Sequence, residues 1–277
     1  MASVVIMIES EQDPQIAEYR EVRERDLIGI DSRPGVFVAE SRQVVERMLE
    51  IGSFAKSVLV ETRHARAMRA FMDATGHTAV PLFVATDALL QQIAGFDVHR
   101  GVLAIGNRPP KISQTLDCLL PRRDRLTVLA IEDVTNADNM GSLYRNAAAF
   151  GVDFVLLSPR CHDHLYRKCL RVSLARTLRI PTVRSTDWIA DLARLRTEWN
   201  LTLVAAALTP DAVALDDAST PDRVALLVGS EFTGLSPAAL AASEMRVRIP
   251  MTKYGDSLNV ATAAAVCLHR FSRGERF

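Results

Sequence analysis

Gly229-Ser230-Glu231-Phe232-Thr233-Gly234-Leu235-Ser236 follows the apolar run Ala225-Leu226-Leu227-Val228, and this stretch decides how the rest of the chain is read. A buried strand here ends in a glycine-flanked turn that carries one acid. Further on, Val247-Arg248-Ile249-Pro250-Met251 reads as a second short strand, ending in a loop fixed by proline. Ser257-Leu258-Asn259-Val260 then leads into an alanine-rich helix over 258–271, with Ser257 as its expected cap. Two loops leave a sheet edge close to a helix N-terminus, which is where an open α/β sheet places a ligand.

Working outward, 277 residues allow one large domain or two ordinary ones. Apolar residues make up 48% of the chain and 33 basic residues balance 33 acidic ones, so a soluble globular protein is expected. No apolar run reaches the length of a membrane span. The start, Val4-Val5-Ile6-Met7-Ile8, has no basic region before it and no small-residue cleavage site after it, so no signal peptide and a cytoplasmic protein are expected. Cys118, Cys161, Cys169 and Cys267 show no CxxC spacing and read as reduced thiols.

The first 106 residues alternate strand and helix. Asp13 with Pro14 marks a helix start, expected to run over 13–26. Strands are expected at 36–39, 57–60, 80–85 and 101–105, with helices at 41–51, 62–74 and 87–93. This makes a small α/β domain with no catalytic spacing; His64, His77 and His99 are scattered. Asn107-Arg108-Pro109-Pro110 opens a linker to about residue 125. A second domain, 126–277, begins with the apolar strand Leu126 to Ile131.

That strand leads through Glu132-Asp133-Val134-Thr135-Asn136-Ala137-Asp138-Asn139 into a helix with Leu143, Ala147 and Phe150 at helical spacing. Gly151 is placed to end it. Arg145 lies within this helix, after an Asn-rich loop at a sheet edge, where an arginine can hold a phosphate. Leu201 to Ala205 is another apolar strand. From Arg160 to Arg184 the chain is basic, with Arg167, Lys168, Arg171, Arg176 and Arg179 against the single acid Asp163. Such a stripe is either a phosphate-binding surface or a solvated helix face. His162 and His164 flank Asp163 without a further ligand cluster, so no metal site is expected.

Asn139-x-Gly141-x-x-x-Arg145 resembles the first motif of the SpoU/TrmH class of SPOUT RNA methyltransferases. Gly229-x-Glu231-x-x-Gly234-Leu235-Ser236 resembles the second motif, and Ile249-Pro250-Met251 followed by Ser257-Leu258-Asn259-Val260 the third. The three occur in the family's order across most of residues 126–271. The N-terminal domain resembles, by pattern and position, the small RNA-binding domain that many members carry. Two departures stand out: Asn136-Ala137-Asp138 where proline often precedes the first-motif asparagine, and the loop Lys253-Tyr254-Gly255-Asp256.

The resemblance implies a parallel-sheet catalytic domain with a trefoil knot, a homodimer formed through it, and methyl transfer from S-adenosylmethionine to a ribose 2′-hydroxyl of structured RNA. It assigns Arg145, Asn139, Glu231, Ser257 and Asn259 to catalysis, with Arg145 clamping a phosphate because a guanidinium stays charged. It assigns the cofactor to the loops at Ala206 to Leu208, Gly229, Ile249, Met251 and Leu258. Arg167, Lys168 and Arg171 fall where the family carries a segment facing RNA. The small residues of the last helix are expected to pack across a two-fold axis. rRNA is preferred to tRNA, because a separate domain suits recognition of a folded element by shape. A non-catalytic RNA-binding protein on the same fold is the alternative. A nucleotide-binding small-molecule enzyme is disfavoured, since no GxGxxG or Walker sequence follows an early strand.

Overall fold

The computed structural model describes residues 4–20, 35–52, 54–95, 98, 101–110, 114–253 and 257–271. The chain divides into two units: residues 1–110 with 163–178, and residues 111–162 with 179–277. Residues 163–178, expected from the sequence to belong with the C-terminal domain, therefore group with the N-terminal one.

Among the described residues, the first unit holds a five-stranded sheet. Its elements are β1 (Val5–Met7), β2 (Val36–Glu40), α1 (Arg42–Ile51), β3 (Ala55–Glu61), α2 (Thr62–Ala74), β4 (Leu82–Ala85), α3 (Asp87–Ala94) and β5 (Val102–Asn107). The strand order is β1-β4-β3-β5-β2, with β5 antiparallel to β2 and β3. Alternate side chains feed two cores, as a pleated strand requires. Val58 and Val60 of β3 pack with Met48, Met68 and Met72 from α1 and α2, and with Leu165, Leu170 and Leu178. Leu59 faces the other way, with Ile16, Tyr19, Leu90 and Ile93.

The helix expected over 13–26 is a 3₁₀ segment, Pro14–Tyr19, capped by Asp13. The chain turns extended at Arg20, and the remainder of that expectation lies outside the described residues. The strand β1 was not anticipated, because three residues carry too little alternation to read.

Two ion-pair clusters hold residues 163–178 within the first unit. Glu40, at the end of β2, is 1% exposed and accepts from Arg167 Nη1 at 3.0 Å, with Arg171 Nη1 at 3.5 Å. Arg108 forms a bidentate pair with Asp163. Burial pushes the Asp163 carboxyl up, but Arg108, with help from His164 and the Leu165 amide, outweighs it and leaves it below the usual carboxylate range. Arg167 and Arg171, expected to face RNA, are thus engaged by a buried carboxylate.

The second unit holds a seven-stranded sheet among the described residues, in the order β10-β12-β9-β11-β6-β7-β8, with all paired neighbours parallel. In chain order the elements are β6 (Leu126–Ile131), α4 (Ala137–Ala149), β7 (Phe154–Leu157), β8 (Thr182–Arg184), α5 (Trp188–Thr197), β9 (Thr202–Ala206), β10 (Val213–Ala214), β11 (Arg223–Val228), α6 (Pro237–Ala242), β12 (Met245–Arg248) and α7 (Val260–Phe271). Strands covered on both faces read as largely apolar runs, which is why β6, β9 and β11 were legible. One face packs on Trp188, Leu192, Leu195, Trp199 and Ala239. On α7 the buried residues are Val260, Ala261, Ala264, Cys267, Leu268 and Phe271, and α7 packs along α4 of the same chain. Ala261 and Ala264, two of the small residues of this helix, are buried within the unit.

Glu40→Gln keeps the side-chain shape and removes the charge that Arg167 and Arg171 surround. The first unit should lose about 3 kcal/mol, read as a lower urea midpoint. An unchanged midpoint would show that the pairing contributes nothing.

Candidate active site at the C-terminal sheet edge

Parallel register brings the loops of interest to one edge. Val228 stands beside Ile131, Leu227 beside Ala205, and Val247 beside Ala206. The chain therefore leaves β6, β9, β11 and β12 at the same level. Ala206 ends β9, Gly229 follows β11 and Ile249 follows β12.

The first turn of α4 and the loops after β11 and β12 meet in a directed hydrogen-bond chain. Asn259 accepts from the amides of Ala261 at 2.9 Å and Thr262 at 3.3 Å through Oδ1, so it is the cap of α7. Ser257, read from the sequence as that cap, lies two residues too early, and both residue types cap well. With Oδ1 committed to the helix end, Asn259 Nδ2 donates to Asn139 Oδ1 at 2.8 Å. That leaves Asn139 Nδ2 to donate, and its acceptor is Glu231 Oε1. The helix N-terminus thus fixes the orientation of two amides and one carboxylate in turn. Asn139 is itself positioned by Asn136, which caps α4 by accepting from the amides of Asp138 and Asn139. Among the described residues, Glu231 Oε2 has no hydrogen-bond partner.

The loop bearing Glu231 is rigid for identifiable reasons. A Cβ on Gly229 would stand 2.3–2.4 Å from the backbone of Gly234 and Leu235. The missing side chain expected to admit a ligand is thus first required by the loop itself. Gly234 donates to Ser230 O at 2.9 Å and sits at φ 66°, a conformation that favours glycine. Glu132, buried at the end of β6, accepts from Ser236 N at 2.8 Å and Ser236 Oγ at 2.7 Å. Sequence reading missed Glu132 as a positioning residue, because its partner lies 104 residues away and no spacing announces it. The adjacent loop is fixed by Asp133, which accepts from Ser158 Oγ and from Arg160. Hydrogen bonding from Arg160 is the largest of the influences that hold the Asp133 carboxyl below the usual carboxylate range.

The remaining expected residues are placed as follows. Arg145 is exposed on α4 and makes no hydrogen bond or ion pair among the described residues. Six residues of helix carry it roughly 9 Å beyond Asn139 and onto another face, so it does not join the hydrogen-bond chain. Ser257 is exposed, and residues 254–256 of its loop lie outside the described residues. Leu208 and Leu258, expected beside the cofactor, are 60% and 40% exposed. Ile249 and Met251 are half-buried. Among the described residues, no group of three His, Cys, Asp or Glu side chains forms a metal site.

Residues 126–269 match the model of the SpoU rRNA Methylase family, and the chain belongs to that family. It is 37% identical to an uncharacterized tRNA/rRNA methyltransferase of Mycobacterium tuberculosis, over 94% of this chain and 89% of the relative. It is 29% identical to the 23S rRNA (guanosine-2′-O-)-methyltransferase RlmB of Acinetobacter baylyi, over 66% of this chain and 75% of that one. The fold matches an AdoMet-bound rRNA methyltransferase from Sinorhizobium meliloti with a TM-score of 0.77 at 21% identity, covering 96% of this chain and 97% of the other. The parallel-sheet fold expected from the sequence is thereby established.

Gly229→Ala should destabilise the second unit by about 1–3 kcal/mol, the usual range for overpacking. Urea unfolding followed by tryptophan fluorescence reads this directly, since Trp188 and Trp199 both belong to that core. Wild-type stability would mean that the loop relaxes without cost.

Proposed function

We propose that this protein transfers a methyl group from S-adenosylmethionine to a ribose 2′-hydroxyl of structured RNA, rRNA in preference to tRNA, in the cytoplasm. The observation that carries the reading is the hydrogen-bond chain Glu231–Asn139–Asn259, which joins all three motifs at the C-terminal sheet edge. The RlmB relative supports the choice of a 2′-hydroxyl.

The residues present fit S-adenosylmethionine. Leu208 and Leu258 offer exposed apolar surface to a flat adenine, and the loops at Ala206, Gly229, Ile249 and Met251 supply backbone polar groups at strand ends. When bound, the cofactor supplies a methyl group on a sulfonium, an electrophile that needs no metal. Glu231 Oε2 is the acceptor that orients the ribose hydroxyl, whose proton must leave as the oxygen attacks. Asn139 holds that carboxylate at the correct angle, and Asn259 holds Asn139. Ser257 adds a hydroxyl at the mouth of the site. Arg145 clamps a phosphate with a guanidinium that pairs with no carboxylate among the described residues. Lys168, and the exposed parts of Arg167 and Arg171, add positive charge for RNA in the first unit. In this reading the C-terminal loops are threaded into a trefoil knot. A homodimer forms through the second unit, using the exposed face of α7 at Thr262, Val266 and His269.

The test is transfer of radiolabelled methyl into total tRNA and rRNA, followed by alkaline digestion. A 2′-O-methyl group protects the adjoining linkage, so label should remain in alkali-resistant dinucleotides. Arg145→Ala should lower transfer on the order of a hundredfold and leave S-adenosylmethionine binding unchanged. Label in free nucleotides would place the methyl on a base and contradict the reading.

A further inference from the structure

Phe232 is 93% exposed, and it stands at the tip of the loop between Gly229 and Gly234. A single apolar side chain on a surface needs no explanation by itself. Three observations set this one apart. The preceding residue, Glu231, is bonded to Asn139, so the ring is carried next to the polar chain of the site. The loop cannot fold the ring away easily: Gly229 packs directly on the Gly234–Leu235 backbone, Gly234 bonds Ser230 O, and the Phe232 amide donates to Ser230 Oγ at 3.3 Å. The ring's neighbours along the chain, Glu231, Thr233 and Gly234, are exposed and polar or small, so no apolar run along the chain continues it.

We infer that Phe232 is a stacking platform for a nucleobase of the RNA substrate, at or beside the nucleotide whose ribose is presented to Glu231. The inference rests on the proposed RNA reaction and extends it to a residue that holds the base. A flat base has an apolar face that matches a phenyl ring and a polar edge that remains satisfied by water or by the neighbouring Glu231 and Thr233. Stacking discriminates little among bases, because each has such a face. The ring therefore supplies affinity and placement, while sequence choice lies elsewhere. A second copy of the chain is the competing occupant. It is disfavoured because protein interfaces bury contiguous apolar area around an anchor, and the residues flanking this ring along the chain are polar or small.

The test compares wild type with Phe232→Ala, Phe232→Leu and Phe232→Trp, all at an exposed position that the core does not use. Filter binding to deproteinised total rRNA, and separately to total tRNA, is measured beside S-adenosylmethionine affinity and the mass in solution. Phe232→Ala and Phe232→Leu should each weaken RNA binding about tenfold, and Phe232→Trp should retain it. Cofactor affinity and mass should not change. Wild-type RNA affinity in Phe232→Ala would overturn the inference and leave the proposed reaction standing. A change of mass in Phe232→Ala would assign the ring to a second copy and overturn it as well. Failure of the wild-type protein to bind either RNA would overturn the proposed reaction, and this inference with it.

Discussion

The hydrogen-bond chain that starts at the free amides of α7 sets the site. Those amides need an acceptor, and Asn259 Oδ1 supplies it. From that commitment the orientation of Asn139 follows, and then the orientation of Glu231. Asn139 comes from the first turn of α4, Glu231 from the loop after β11 and Asn259 from the loop after β12. Their alignment requires that β6, β11 and β12 end at one level, which the parallel register provides. The polar chain is in this sense a consequence of the sheet, and the free carboxylate oxygen of Glu231 is a consequence of the chain.

Around that centre the structure spends its rigidity on loops. Glu132 ties the second-motif loop to the end of β6 through Ser236. Asp133 and Arg184 hold the turn after β7, with Arg184 donating to the carbonyls of Ser158, Pro159, Cys161 and His162. Fixed polar groups favour catalysis because they need not reorganise as charge develops. Among the described residues, Arg145 and Glu231 Oε2 have no hydrogen-bond partner, and these are the groups proposed to meet the RNA.

Much of this was legible in the sequence, and the reasons are physical. The buried strands β6 and β11 are largely apolar; β6 was read to the residue, whereas β11 starts at Arg223, two residues before the apolar run that marked it. The short edge strands β1 and β10 could not, since two or three residues carry no pattern. The three motifs placed Asn139, Glu231 and Asn259, yet nothing in them told which of Ser257 and Asn259 caps the helix. Glu40 shows the other limit. Its pairing with Arg167 spans 127 residues, so a run of basic residues read as a solvent-facing stripe includes two that hold a buried acid. Charge along a sequence does not reveal which charges are already paired.

Donor and acceptor directions propagate from the helix end to Glu231. Asn259→Asp keeps an acceptor for the helix amides but removes the donor to Asn139, which must then turn over and present its oxygen to Glu231. Adding Glu231→Gln provides a donor there and restores the chain in the reverse direction. The decisive measurement is therefore the unfolding free energy of both single variants and the double variant. Glu231→Gln should be more favourable in the Asn259→Asp background than in wild type by on the order of 1 kcal/mol, the scale of coupling between bonded residues. Additive effects would mean that the two residues do not communicate through Asn139, and would contradict the account.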